Sequence, residues 1–196
     1  WAAAMGDLGW FEPTPGFEWK FHSLRSELPV ADENVGELLA VSADADGATF
    51  VAKDRILRWD GRRFVIWETR EEKLYPTRAA GRLFVHQKQD GLFEFDGNGR
   101  RLIAQREVLG DSGVMYVEPR ASDWLLGTSR GFFILDSAAG KLRDFAPDIA
   151  DFLRSASLSA ACRLPDGRIA IGTVRKGLAF LNPDGSVDSF LGEAEG

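Results

Sequence analysis

Residues 166–187 read DGRIAIGTVRKGLAFLNPDGSV, and residues 122–142 read SDWLLGTSRGFFILDSAAGKL. The wording differs but the order is shared. A polar turn leads to a short apolar run, Gly-Thr, a basic residue, Gly, a second apolar run, an acid or amide, and Gly. A chain that repeats this order at fixed register is building one supersecondary unit more than once.

Working outward, the same frame runs the length of the chain. Its strands, lettered a to d in order, are short, alternating and rich in aromatics, as in Ile56-Leu57-Arg58-Trp59 and Phe93-Glu94-Phe95. The c–d connections hold a polar residue and then Gly, as in Trp59-Asp60-Gly61 and Asn182-Pro183-Asp184-Gly185, which favours tight hairpins. Four short strands every ~35–47 residues is the period of a propeller blade. The expected class is therefore all-β: β-propeller blades of four antiparallel strands, about five units, the first lacking strand a. The blades fall at 1–22, 36–67, 74–105, 114–145 and 158–190.

The 21 Gly, 14 Phe and 6 Trp fit this class, supplying turns and pleat-packing side chains. A net charge of −6 argues against nucleic acid or an anionic membrane as the main partner. No apolar run approaches the ~18 residues of a membrane-spanning helix. The opening Trp-Ala-Ala-Ala-Met has no basic region, so no signal peptide is expected in this chain. With one cysteine, Cys162, no internal disulfide can form.

The units resemble two-component regulator propeller repeats, found in the sensor regions of bacterial hybrid histidine kinases. The likeness rests on Leu28-Pro29, Asn34-Val35, Asp44-Ala45-Asp46-Gly47, Trp124-Leu125-Leu126-Gly127-Thr128 and Gly172-Thr173…Gly177-Leu178-Ala179-Phe180. It covers nearly the whole chain. Gly-Thr is missing in the units around Val51-Ala52-Lys53 and Val85-His86-Gln87. The resemblance implies an extracytoplasmic or periplasmic ligand-sensing region that passes its signal to another module.

A ring usually takes 4–8 blades. After Phe190 the chain offers Leu-Gly-Glu-Ala-Glu-Gly, too short and polar to supply the first unit's missing strand. Three expectations stand: a piece of a larger propeller, an arc covered by another chain, or a five-blade ring with one three-stranded blade. In the first two, further blades or another chain cover the open ends.

Sorting charges by loop yields the candidate site. The b–c loops carry Lys53, Arg55, Lys88, Arg130, Arg175 and Lys176, while the opposite turns carry Asp44, Asp46, Asp60, Asp96, Asp123, Asp136, Asp166 and Asp184. Convergent cations would receive a small anionic ligand or an acidic protein partner. Glu68, Glu71, Glu72, Glu107 and Asp111 in the d–a loops oppose this, and Asp at turns serves turn geometry. The connection 146–157, with apolar residues at 149, 152 and 153, predicts one or two helical turns.

Catalysis is poorly supplied, and no enzyme activity, cofactor or metal is expected. His22 and His86 read as ordinary surface or strand histidines, and Cys162 as a buried, inert thiol. Trp10, Trp19, Trp59 and Trp67 read as inter-blade packing. The expected function is non-enzymatic recognition in a sensor. Alternatives are a scaffold subunit, or a metal-dependent gluconolactonase-type propeller using strand-a acids such as Glu37 and Glu118.

Overall fold

In the computed structural model of the chain, residues 1–29, 34–69, 74–96 and 99–192 are described. They form five antiparallel meander sheets, the first of three strands and the rest of four. Sheet one comprises β1 (Ala2–Ala4), β2 (Asp7–Pro13) and β3 (Trp19–Ser23). Sheet two comprises β4 (Leu38–Asp44), β5 (Gly47–Ala52), β6 (Arg55–Trp59) and β7 (Phe64–Glu68). Sheet three comprises β8 (Tyr75–Ala79), β9 (Arg82–Gln87), β10 (Gly91–Asp96) and β11 (Gly99–Gln105). Sheet four comprises β12 (Val114–Arg120), β13 (Asp123–Thr128), β14 (Gly131–Asp136) and β15 (Lys141–Ala146). Sheet five comprises β16 (Leu158–Arg163), β17 (Ile169–Thr173), β18 (Leu178–Leu181) and β19 (Val187–Leu191). This is the expected class, β-propeller blades with an incomplete first unit.

The residues group into two compact units, Trp1–Pro76 with Phe95–Arg100, and Thr77–Glu94 with Arg101–Gly196. In the first unit, one face each of sheets one and two buries Leu8, Phe50, Leu57 and Trp59, with Leu24, Leu28 and Val35 from the connection between them. Period-2 alternation puts these residues on one face and Thr49 and Arg58 on the other. In the second unit, Phe84, Leu92, Val117, Leu126 and Leu135 form one cluster. Leu125, Phe132, Ile134, Ile169, Ile171 and Leu181 form another.

The connection after β15 forms a 3-10 turn, Pro147–Ile149, and the helix α2 (Ala150–Ala156), which buries Ile149 and Leu153 as the spacing predicts. A further one-turn helix, α1 (Arg106–Leu109), was not expected; it ends at Gly110 with φ +63°.

The Gly-Thr phrase has a local cause. Thr128 Oγ1 donates to the Gly131 carbonyl at 3.1 Å and accepts from the Arg130 amide at 3.1 Å. Thr173 repeats this with the Gly177 carbonyl at 2.8 Å and the Lys176 amide at 3.0 Å. The following glycine is required by space: a Cβ on Gly177 would lie 2.2 Å from the Leu191 carbonyl oxygen, and its φ is +73°. In sheets four and five the b–c loop is thus closed by its own threonine.

Candidate functional site

The predicted cations occupy the loops that join second to third strands. Lys53 sits between β5 and β6, beside Arg55 at the start of β6. Together with Asn34, Val35, Gly36, Glu37 and Asp54 they line a cleft of about 540 Å³. The Lys53 amide donates to the Glu37 carbonyl at 3.1 Å, which ties the entry of sheet two to its first loop. Arg55 is engaged by its neighbour: Nε and Nη2 reach the two Asp54 oxygens at 3.1 and 2.9 Å. That pairing holds the Asp54 carboxyl below its ordinary range. The Lys53 ammonium and the Glu37 carboxylate make no hydrogen bond among the described residues. The cleft therefore offers one uncommitted cation and one uncommitted anion.

In the second unit the corresponding loops carry the remaining candidates. Arg130 Nη2 donates to the Leu109 carbonyl at 3.0 Å, capping the end of α1, so this side chain has a structural partner. Lys176 Nζ reaches Ser155 Oγ of α2 at 2.8 Å. Arg175 is exposed and its amide bonds the Ala156 carbonyl at 3.1 Å. Lys88 is exposed at the end of β9. Of the opposing d–a acids, Glu71 and Glu72 lie outside the described residues.

The carboxylates of the opposite turns do turn work. Asp60 accepts from the amides of Arg62 and Arg63, both at 2.9 Å. Asp136 accepts from Ala138 and Ala139, at 2.9 and 2.8 Å. Asp166 accepts from Arg168 at 3.0 Å, and Asp184 from Ser186 at 2.9 Å. These Asx turns, not a ligand, explain why Asp recurs there.

Glu118, a strand-a acid considered for metal chemistry, is committed elsewhere. Arg163 on β16 grips it with Nε and Nη2, both at 2.7 Å, and the Tyr116 hydroxyl donates to it. Burial would raise the Glu118 pKa, but these donors outweigh it and hold the group ionised. The Tyr116 phenol is pushed up by burial and by the adjacent carboxylate. Glu118 therefore fastens sheet four to sheet five. No group of three or more His, Cys, Asp or Glu set to hold a metal occurs among the described residues.

Two residues differ from expectation. Cys162 is exposed, not buried, because β16 turns it to the face of sheet five away from the Ile169–Leu181 core. Trp19, expected in inter-blade packing, is instead 65% exposed on β3. His86 is a strand histidine, one of its two expected settings. It is fully buried on β9, where Nδ1 accepts the Val114 amide at 3.1 Å. Burial first, and Lys88 second, lower its pKa to about 4. His22 stacks on Trp10 at 5.0 Å and pairs with Glu12 at 2.7 Å.

A second cleft was not anticipated. It encloses about 530 Å³ in the first unit, on the side of the β4–β5 and β6–β7 turns. Its walls are Trp1, Trp10, Phe11 and Trp59, and its floor includes Asp44, Asp46 and Gly61. Trp10 and Trp59 do join the core as expected, but each also presents surface to this cleft.

No protein-family model matches the chain, and no curated protein matches it. Solved structures do. The extracellular domain of BT3049, described as a hybrid two-component system of B. thetaiotaomicron, aligns with TM-score 0.56 and 20% identity, covering 79% of this chain and 24% of that one. The extracellular domain of BT4673 from the same organism, described as a one-component system, aligns with TM-score 0.59 and 13% identity, covering 82% and 23%. YCF48, solved bound to a D1 peptide, aligns with TM-score 0.55 and 13% identity, covering 92% and 60%. The chain is therefore similar in fold to sensor-region propellers, and spans about a quarter of the length of the two extracellular domains. No helix among the described residues is long and apolar enough to cross a membrane.

Proposed function

We propose that this chain is a non-catalytic recognition propeller, part of an extracytoplasmic sensor, whose b–c loops receive a small anionic ligand. The observation that carries the reading is the cleft at Lys53. Among the described residues its ammonium is the uncommitted cation of the lining, Arg55 being matched by Asp54, and Glu37 is the uncommitted acceptor. A carboxylate ligand that also carries an amino or hydroxyl donor complements this pair. The repeat resemblance and the fold likeness support a sensing role.

The test is calorimetric titration with a panel of amino acids and hydroxy acids. At least one should bind saturably, and Lys53→Gln should weaken it about tenfold, as loss of one charge-assisted hydrogen bond does. Binding unaffected by Lys53→Gln, or no binding across the panel, would sink the assignment of this cleft.

One observation favours a scaffold role beside it. Phe11, Pro13, Trp19 and Phe21 share the outer face of sheet one and are exposed. An open aromatic sheet face suits another polypeptide surface, either further blades or a separate chain. Light scattering over a concentration series, with and without Trp19→Lys, separates the two: self-association relieved by the substitution marks the face as an interface.

A further inference from the structure

The second cleft of the first unit has an unusual lining. Trp1, Trp10 and Trp59 supply ring surface, Asp44 and Asp46 supply carboxylates, and Ala45, Gly47 and Gly61 supply backbone, while Phe11 lines the cleft with its ring turned to Phe21 on the other face of sheet one. Among the described residues no lysine, arginine or histidine and no hydroxyl or amide side chain lines it. The chemistry presented to a ligand is therefore negative: π faces and carboxylate oxygens.

Trp10 stacks one face on His22 at 5.0 Å and Trp59 is 8% exposed, so Trp1 offers the cleft more ring surface than either. Trp1 and Trp10 sit with centroids 5.7 Å apart and planes at 57°, and the edge-on contact of Trp1 with Phe50 at 6.1 Å fixes the first indole. Trp1 keeps 42% of its surface exposed, so it walls the cleft without being consumed by the core. Trp59 is braced from behind by Phe64 at 5.0 Å.

The carboxylates are prepared differently. Asp44 Oδ1 accepts Arg58 Nη2 at 2.8 Å and the Asp46 amide at 2.9 Å. Arg58 is 2% exposed, and its Nε and Nη1 have no hydrogen-bond partner among the described residues. A buried guanidinium with a single ion-pair contact is a costly device. It fixes the Asp44 side chain and keeps it ionised, while burial alone would push its pKa up. Asp46 is exposed and accepts no hydrogen bond through its carboxylate among the described residues. With Arg58 offsetting Asp44, Asp46 leaves the cleft one net negative charge. Arg62 and Arg63, beside Gly61, are exposed and do not line it.

We propose that this cleft is a cation-binding site, taking a quaternary or primary ammonium group against the Trp1, Trp10 and Trp59 rings with Asp46 as counter-ion. Ring faces attract such ions through their quadrupole, and the attraction grows as water is excluded. An anion would meet two carboxylates. The site is separate from the Lys53 cleft and does not depend on it.

Tetramethylammonium is the first probe, followed by tryptophan fluorescence at constant ionic strength. It should quench emission saturably. Asp46→Asn, which removes no hydrogen bond of the fold, should raise Kd about threefold, in the range of one exposed ion pair. Trp1→Ala should raise it about tenfold, in keeping with loss of one cation–π contact. Glucose and acetate, as neutral and anionic probes, should give no saturation. Quenching by sodium chloride equal to that by tetramethylammonium would overturn the proposal. So would a Kd unchanged in both variants, or glucose displacing the cation at equal concentration.

Discussion

Single side chains carry the loop geometry, and their loss has a readable cost. Thr128 is buried and serves two backbone groups of one loop. Thr128→Val keeps the shape but strands the Arg130 amide and the Gly131 carbonyl, and should lower stability by about 1–2 kcal/mol in urea unfolding. His86 makes a second test. Its pKa falls from 6.5 to about 4 on folding, so between those values the unfolded chain holds more protons. Stability is therefore full above about pH 6.5 and is lost as pH falls toward 4, by about 3 kcal/mol. Urea midpoints at pH 7 and pH 5 should differ, and His86→Asn should flatten that difference. The Gly127-Thr128 phrase was legible as a repeated motif, and the bonds behind it lie within three residues. His86 was not, because the Val114 amide it accepts lies 28 residues away.

Strands and sheets are fastened by arginine. Glu94 on β10 is gripped from both sides, by Arg82 of β9 at 2.7 Å and by Arg101 of β11. Between sheets four and five the same device recurs as Glu118 with Arg163. A double-mutant cycle on Glu118→Gln and Arg163→Met should return a coupling of about 1–3 kcal/mol, read from unfolding midpoints. The Glu118 pKa is lowered on folding, so this contribution is present above the ordinary glutamate range and fades as pH falls through and below it. Strand positions were readable because pleat alternation and Asx turns are local: the last unit, expected to end at 190, ends with the strand Val187–Leu191. The helical turn at α2 showed in its 149/152/153 spacing. The single turn of α1 did not, being too short for any period. The aromatic cleft was missed for another reason. Trp10 and Trp59 are core residues by pattern, and their second surface shows only once Trp1 and the Asp44–Gly47 turn are brought beside them.

At the level of the whole chain, the outer faces of the first and last sheets matter most. On sheet five, Cys162, Ala170 and Phe180 form one cross-strand row, and Ala160, Gly172, Leu178 and Leu191 the next. Cys162 reports on that face directly. In the native protein it should react with Ellman's reagent about as fast as it does in the unfolded chain. A thiol that reacts only after unfolding would mean another surface covers the row. Phe17 marks the other end of the chain, 99% exposed at the β2–β3 hairpin with φ +65°. A bulky side chain held in the left-handed region and in water is strained without return, and Phe17→Gly should stabilise the hairpin.

Among the described residues every strand pairs with a strand adjacent in sequence, and no sheet borrows from another. The hydrogen-bonded ladders therefore close over short chain separations, which favours fast pairing over long searches. During synthesis each meander can zip as soon as its own strands leave the ribosome, and it then offers a finished apolar face to the next. Growth is by accretion, so lengthening or shortening such a protein by one sheet leaves every existing ladder intact.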